Sequence, residues 1–179
     1  MYEDVLFMRN IIRLKTDYGT IKLKDNIRIE LFADNYHFSG IIIKWLKDEW
    51  YEYYGPHGTG DTRKETEECC HRNKLPIGLV AIDNDSIYGT VALKKRSASH
   101  INLTPWLTAL YVTPEMRRKG VGRQLVKYVE KLAIELGYRR IYARSGIAVE
   151  FFKRLGWCLI DEIMFQGQGL TIFSKDIVP

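Results

Sequence analysis

The stretch LYVTPEMRRKGVGR, residues 110–123, decides the fold of this chain. It follows a nearly continuous apolar run, Trp106 to Val112, which is typical of a central β-strand that is covered on both faces. It leads into a stripe of apolar residues with helical spacing, from Gly120 to Leu136, and Gly137 then marks the helix C-terminus. The sequence therefore predicts a strand–loop–helix unit whose loop is basic and contains glycine.

The loop places positive charge where a helix does not favour it. A helix N-terminus leaves about four backbone N–H groups without partners and carries about half a positive charge, so acidic residues are usual in its first turn. Here four basic residues occupy that position: Arg117, Arg118, Lys119 and Arg123. Gly120 and Gly122 lack Cβ, so their amides can approach a large anion closely. The segment predicts a pyrophosphate site, and the alternative is a solvated basic loop with two incidental glycines.

The rest of the chain alternates predicted strands and helices without repeats. Alternating polarity and helical spacing give the following order. It comprises a strand or hairpin over 21–32, helices over 38–54 and 61–73, strands over 77–82, 87–93 and 106–112, a helix over 120–136, a strand over 139–143, a helix over 149–155, and strands over 157–160 and 170–173. This order predicts an α/β or α+β domain with a mixed sheet. Residues 1–20 show no clear period and are expected to form an N-terminal extension to a domain over 21–179.

Composition indicates a single soluble domain. The 179 residues carry 27 Lys plus Arg against 22 Asp plus Glu, and 46% of them are apolar. No apolar run approaches the roughly 18 residues of a membrane span, and the N-terminus does not resemble a secretory signal. We therefore expect a cytoplasmic protein without a membrane partner.

The cysteines predict neither disulfides nor a metal site. Cys69, Cys70 and Cys158 are odd in number, and two of them are adjacent. His71 follows the adjacent pair, but a zinc site needs cysteines with two to four residues between them. We expect reduced thiols and no metal.

Two motifs resemble those of the GNAT N-acetyltransferase superfamily. The run Arg117-x-x-Gly120-x-Gly122, after an apolar strand, is similar to that family's acetyl-CoA-binding motif. The stretch from Glu150 to Trp157 is similar to its second helix-to-strand motif, and the element order from Ile27 to Ile177 is similar throughout. The resemblance implies a mixed, mostly antiparallel central sheet of about six to seven strands flanked by about four helices.

The resemblance also implies a cofactor site. In this family two central strands separate, the pantetheine arm of acetyl-CoA lies between them, and the pyrophosphate binds at the start of the following helix. A backbone N–H near Leu110 or Tyr111 would polarise the thioester carbonyl. The implied cofactor-binding residues are Leu110, Tyr111, Val112, Arg117, Arg118, Lys119, Gly120, Val121, Gly122, Arg123 and Phe152.

The implied reaction is transfer of the acetyl group to a primary amine of a small molecule or peptide, by direct attack on the thioester. It needs a base for the ammonium and an acid for the leaving thiolate. Family members often place a tyrosine acid where this chain has Phe152. Glu49 on the first helix is a candidate base and Tyr142 a candidate acid, the alternatives being a surface glutamate and ordinary strand packing. His100, in a polar loop, is a further candidate base.

Other functions remain open at this stage. Phe152 motivates a non-catalytic acyl-CoA-binding module, because its side chain cannot donate a proton. A nucleic-acid binder is disfavoured, since the basic residues concentrate at one helix start and are not interleaved with aromatic residues along a stripe. The aromatic residues between Trp45 and Tyr54 could line an amine pocket through cation–π contacts. The sequence does not identify the acceptor, and it is compatible with a homodimer.

Overall fold

The computed structural model describes residues 27–84, 86–96 and 102–178. Within these ranges seven strands form one sheet, and five α-helices pack against it. In chain order the elements are β1 (Arg28–Leu31), α1 (Ser39–Glu49), α2 (Tyr51–Tyr54), α3 (Thr62–Glu67), β2 (Ile77–Asp83), β3 (Ser86–Lys94), β4 (Trp106–Val112), α4 (Val121–Glu135), β5 (Arg140–Ser145), α5 (Val149–Arg154), β6 (Cys158–Phe165) and β7 (Gln168–Asp176). The predicted mixed, mostly antiparallel fold is confirmed.

The sheet has one parallel pair, at its centre. The strand order is β1-β2-β3-β4-β5-β7-β6, and every neighbouring pair except β4–β5 is antiparallel. A parallel pair needs a crossover connection, and α4 supplies it. The basic loop that precedes α4 therefore lies beside the central pair of strands, at their C-terminal ends.

Each face of the sheet carries its own apolar core. On one face α4 buries six apolar side chains against β2, β3, β4 and β5, as its stripe predicts: Val121, Leu125, Val126, Val129, Leu132 and Ala133. On the other face Ile42 and Leu46 of α1 pack with Phe32 and Phe38 against β2 and β3. The sheet is thus held between α4 and α1, which reach it from opposite sides.

A half-buried polar network joins α4 to the last elements of the chain. The Lys175 ammonium donates to both carboxylate oxygens of Glu130 at 2.9 Å and to the Leu155 carbonyl at 2.8 Å. The Trp157 indole N–H donates to the same carboxylate at 3.0 Å. These bonds hold α4 against β7 and against the residues that follow α5.

The predicted helix over 38–54 is wrong in one respect, because it is interrupted. Trp50, with φ −120° and ψ 51°, leaves the helical region and separates α1 from α2, which gives five helices instead of about four. The helix predicted over 61–73 begins as expected, with the Asp61 carboxylate accepting from the Lys64 amide at 3.0 Å, but it ends at Glu67. It ends early because Cys70 forms a bridge to Ile77 at the start of β2.

The last hairpin is longer than the sequence predicted. β6 and β7 shift register once, between Leu159 and Asp161, and stay paired to a two-residue turn at Gln166 and Gly167, both of which have positive φ. Such turns match the twist of paired strands, so they extend a hairpin well beyond the apolar residues that mark it in the sequence.

Three expectations lie outside the described residues: the extension over 1–20, the first part of the predicted hairpin at 21–26, and His100. In the described ranges, no helix combines the length and the apolar character that crossing a membrane requires.

We expect Glu130→Gln to destabilise the fold by about 2 kcal/mol or more, because it leaves the Lys175 ammonium half-buried without its carboxylate. Urea unfolding followed by far-ultraviolet circular dichroism measures the change. Glu150→Gln, which removes an exposed ion pair to Lys153, is the matched control and should cost well under 1 kcal/mol. Equal losses of unfolding free energy in the two variants would contradict a stabilising role for the Glu130–Lys175–Trp157 network.

Candidate functional site

A gap opens between β4 and β5. The two strands pair only at Trp106 with Tyr142 and at Leu107 with Ala143. Beyond Leu107, no further pair joins them in the part of the chain that the structure describes, and residues 108–112 are half-buried. The prediction that this strand is covered on both faces therefore holds only for its first two residues. The remaining backbone of β4 faces an opening.

A bulge turns the backbone of β4 at the start of the gap. Ala109 has a φ of 53°, and the pairing of β4 with β3 shifts register between Thr90 and Ala92. A bulge of this kind bends a strand and redirects its backbone groups. Leu110, Tyr111 and Val112, the predicted binding residues, follow the bulge directly.

The start of α4 presents amide groups without helical partners. Gly120, with a φ of 91°, precedes the helix, and no side chain caps it. The first i to i−4 bond runs from the Gln124 amide to the Gly120 carbonyl at 3.1 Å. The amides of Val121, Gly122 and Arg123 therefore have no acceptor within the helix. The first turn contains no acidic residue, so the positive end of the helix dipole is not neutralised there.

Gly122 lies where α4, β4 and α5 meet. A Cβ at this position would lie 3.6 Å from both the Phe151 ring and a methyl group of Val112, which is ordinary contact distance. The side chain that faces the start of α4 is thus that of Phe151, which sequence reasoning missed. Phe152 was predicted to bind the cofactor, but only 3% of it is exposed, and its ring packs on Phe173 and Trp157 at 5.2 Å. Both phenylalanines occur in one short helix, and only packing shows which of them faces the gap.

Glu49 and Arg117 meet at the C-terminal end of β4. The Arg117 guanidinium donates to the Val112 carbonyl at 3.0 Å and to the Glu49 carboxylate at 3.4 Å. It also lies 5.6 Å from the centre of the Tyr111 ring, and Trp45 stacks on that ring at 5.0 Å. The predicted base is therefore in direct contact with a predicted cofactor-binding residue.

Tyr142, the predicted acid, lies elsewhere. It is one of the two residues of β5 that pair with β4, its ring is 5.7 Å from that of Trp106, and its amide donates to the Pro105 carbonyl at 3.0 Å. This is the closed end of the gap. Contacts in the described residues do not bring Tyr142 to Glu49, and its role as an acid stays a prediction.

A second polar cluster lies on the face of the sheet that carries α1, α2 and α3. The Glu65 carboxylate accepts from the Tyr53 hydroxyl at 3.1 Å, the Tyr54 hydroxyl at 3.2 Å and the Lys94 ammonium at 2.7 Å. Burial raises the pKa of the Tyr54 hydroxyl, and the Glu65 charge adds to the effect, so this tyrosine stays protonated. Glu65, Tyr54 and Lys94 line a small pocket that also has Ala109, the residue at the bulge, in its wall.

Sequence reasoning missed this cluster, except for the two tyrosines. Glu65 and Lys94 are 29 residues apart, so no local pattern brings them together. Among the described residues, no group of three or more His, Cys, Asp or Glu side chains is arranged to hold a metal ion.

The comparisons with known proteins agree with this geometry. The model of the acetyltransferase (GNAT) family matches residues 41–157, which is more than half of the chain. This chain belongs to the GNAT acetyltransferase family. Acetyl-CoA is the co-substrate of GNAT enzymes. A search of curated proteins finds no match.

Solved structures share the GNAT fold over most of the chain. An aminoglycoside 6'-N-acetyltransferase complexed with coenzyme A has a TM-score of 0.68 at 20% identity, covering 85% of this chain and 98% of that one. An aminoglycoside 6'-N-acetyltransferase from Enterococcus faecium has a TM-score of 0.65 at 20% identity, with the same coverage of 85% and 98%. A putative acetyltransferase from Salmonella typhimurium, solved with acetyl-CoA, has a TM-score of 0.65 at 20% identity, covering 86% and 95%. At these identities the likeness concerns the fold.

The residues of this GNAT domain fit acetyl-CoA. A diphosphate needs several convergent N–H donors and positive charge, which the start of α4 offers together with Arg117, Arg118 and Lys119. The pantetheine arm carries amide groups, and the open edge of β4 offers backbone groups that no strand occupies. Gly122 lies in the first turn of α4 and adds no side chain or charge among these donors.

We expect Gly122→Asp to weaken acetyl-CoA binding at least tenfold while leaving the fold intact. An aspartate in the first turn of α4 is favourable for the helix by about 0.3–1 kcal/mol, yet its charge repels a diphosphate. Isothermal titration calorimetry measures the affinity, and thermal unfolding checks the fold. Gly122→Ala is the matched control, since its Cβ meets only ordinary contacts and adds no charge, and it should lose much less affinity. Equal affinity for the wild type and Gly122→Asp would remove the diphosphate from this position.

Proposed function

We propose that this protein is an acetyl-CoA-dependent N-acetyltransferase that acetylates a primary amine of a small molecule or peptide. The observation that carries the proposal is the gap between β4 and β5, which leads from the bulge at Ala109 to the free amides at the start of α4. An extended thioester with a diphosphate can bind along it from end to end.

The reaction is a direct attack of the amine nitrogen on the thioester carbonyl carbon. The ammonium first gives one proton to a base. As the neutral amine attacks, the C–N bond forms and the C–S bond breaks, the electron pair leaves with the sulfur, and the nitrogen releases a second proton to solvent. Charge develops on the carbonyl oxygen, where a fixed backbone N–H is most effective. The bulge at Ala109 supports this role for the backbone of Leu110, which lies between the pairs Thr90–Tyr111 and Ala92–Thr108, whereas Tyr111 stays paired with Thr90 of β3.

Glu49 is the proposed base for the ammonium of the acceptor. Its side chain is 29% exposed at the end of α1 and bonds to Arg117 beside the end of β4. A carboxylate there can take a proton from an incoming amine, directly or through a water. The contact with Arg117 supports a position near the cofactor, since Arg117 itself belongs to the predicted binding loop.

A non-catalytic acyl-CoA-binding module is the second candidate. Phe152 favours it, because a phenyl ring that is 3% exposed cannot protonate the leaving thiolate. In the catalytic proposal that proton comes from Tyr142 or from solvent. The two candidates share the acetyl-CoA site and differ in turnover.

The test is acetyl-CoA turnover with a panel of primary amines: amino acids, dipeptides, polyamines and an aminoglycoside. Liquid chromatography with mass spectrometry measures the free coenzyme A and the acetylated amine. We expect Glu49→Gln to lower kcat/KM at least about a hundredfold at neutral pH, because the base is lost. Asp48→Asn is the matched control and should leave the rate unchanged. Asp48 directly precedes Glu49 in α1 and forms an exposed ion pair with Lys44.

The outcomes separate the candidates. Binding of acetyl-CoA without acetylation of any amine supports the binding module over the transferase. Absence of acetyl-CoA binding contradicts both.

A further inference from the structure

We infer that Arg144 binds a carboxylate carried by the acceptor, so that the acceptors of this protein are amino acids or related amino carboxylates. The inference rests on the proposed N-acetyltransferase function and names its substrate class. Four observations carry it: the position of Arg144 at the gap, the charge balance around it, its unpartnered nitrogen and the aromatic ring that orients it.

Arg144 lies at the point where the gap opens. It directly follows Ala143, the last residue of β5 that pairs with β4. Successive side chains of a strand point to opposite faces, and Ala143 belongs to the core around α4. Arg144 therefore points to the other face. Its guanidinium carbon lies 4.5 Å from the centre of the Phe165 ring, and that ring is 6.4 Å from the ring of Tyr53 in the polar cluster.

The cluster has one cation more than it has anions. Its carboxylate is Glu65, and its cations are Lys94 and Arg144. Glu65 already accepts two tyrosine hydroxyls and the Lys94 ammonium, which lies 2.7 Å away. Arg144 thus remains without an anion of its own in the described part of the chain, and a second carboxylate would balance the charge.

One nitrogen of Arg144 lacks a hydrogen bond. Nη1 is buried and has no partner in the described residues. A buried N–H donor without an acceptor is costly, and a charged one is more so. Burial also lowers the pKa of the Arg144 guanidinium, consistent with a group that would gain from a bound anion. A ligand carboxylate would supply the acceptor that the buried N–H group of Arg144 lacks.

The β6–β7 hairpin orients the guanidinium. The Phe165 ring lies 4.5 Å from the guanidinium carbon, and the neighbouring Gln166 side chain donates to the Thr59 hydroxyl at 3.1 Å. This cation–π contact restricts where the guanidinium can lie, and the hydrogen bond ties the hairpin to the loop between α2 and α3. A guanidinium carries its N–H donors in a fixed planar fork, which binds a planar carboxylate through two hydrogen bonds.

This chemistry differs from that of the structural neighbours that act on aminoglycosides. Aminoglycosides carry several amines and no carboxylate, so they offer Arg144 hydroxyl groups but no anion. The inference therefore predicts that this protein prefers amino carboxylates to aminoglycosides, a preference that the shared fold alone does not predict.

The first test measures carboxylate binding without turnover. The protein is labelled with 15N-arginine and saturated with coenzyme A, and the Arg144 side-chain resonance is assigned by its loss in Arg144→Lys. N-acetylglycine, a product-like carboxylate, should shift this resonance saturably. N-acetylglycinamide, its neutral match, should not. No saturable shift up to tens of millimolar, or equal shifts for both compounds, would overturn the inference.

The second test compares kcat/KM for each accepted amino acid, for its amide and for an aminoglycoside. We expect the amino acid to exceed its amide about 10- to 100-fold, the range of a hydrogen bond between charged groups. Arg144→Gln should bring that ratio close to one by raising KM for the amino acid, and Arg144→Lys should restore part of it. Arg139→Gln, at an exposed arginine directly before β5, controls for loss of charge and should keep the wild-type ratio.

Unchanged acetyl-CoA affinity in each variant shows that the fold and the cofactor site are intact. Equal rates for acids and amides, a higher rate with the aminoglycoside or with O-phosphoethanolamine, or a ratio that persists in Arg144→Gln would each refute the carboxylate site while leaving the transferase in place. If acetyl-CoA fails to bind, the proposed function is wrong. The N-acetylglycine titration, repeated without coenzyme A, then still measures whether Arg144 binds a carboxylate.

Discussion

Backbone hydrogen bonding between β4 and β5 ends after two residue pairs, and the rest of the site depends on that early end. Strand backbone that is half-buried must find other partners for its N–H and C=O groups. Here the parted strands leave such groups along the edge of β4, and the crossover helix that a parallel pair requires brings its N-terminus to the same opening. The open edge of β4 and the amides at the start of α4 thus lie together, because both follow from the parallel pairing of β4 and β5.

The two cores and the Glu130–Lys175–Trp157 network explain why the gap persists. α4 is anchored by six buried apolar residues, and the polar network ties it to β7 and α5. Since β5 pairs with β7 along its whole length, β5 is held on that side and does not close toward β4. The separation of β4 and β5 is therefore maintained both by α4 and by the pairing of β5 with β7. The second polar cluster, around Glu65 and Arg144, lies on the face of the sheet opposite α4.

Much of this architecture could be predicted from local patterns. The apolar stripe of α4, the basic loop with its two glycines and the strands before it are signals over neighbouring residues, and they led to the correct fold. The parting of β4 and β5 was expected only from the family resemblance. Local patterns did not show it, because the apolar run from Trp106 to Val112 is equally typical of a strand covered on both faces. The break of the first helix at Trp50 lacks a glycine or proline that would mark it.

Site residues that lie in a local sequence pattern were predicted, and contacts between residues far apart in the sequence were missed. Glu49 was named from its place on the first helix, and its contact with Arg117 depends on packing over 68 residues of chain. Phe151 and Phe152 are neighbours in α5 that point in different directions, and only the packing of the helix decides that Phe152 is the buried one. Lys94, Glu65 and Arg144 come from three elements, so their shared charge balance exists only in the folded chain.

The most direct measurement of the central claim is amide hydrogen exchange of the wild-type protein with and without acetyl-CoA. The account predicts that acetyl-CoA slows exchange at residues 108–112 of β4 and at residues 120–124 of α4, with little change in β2 or β3. Unchanged exchange in both segments at saturating acetyl-CoA, or protection confined to other elements, would contradict it.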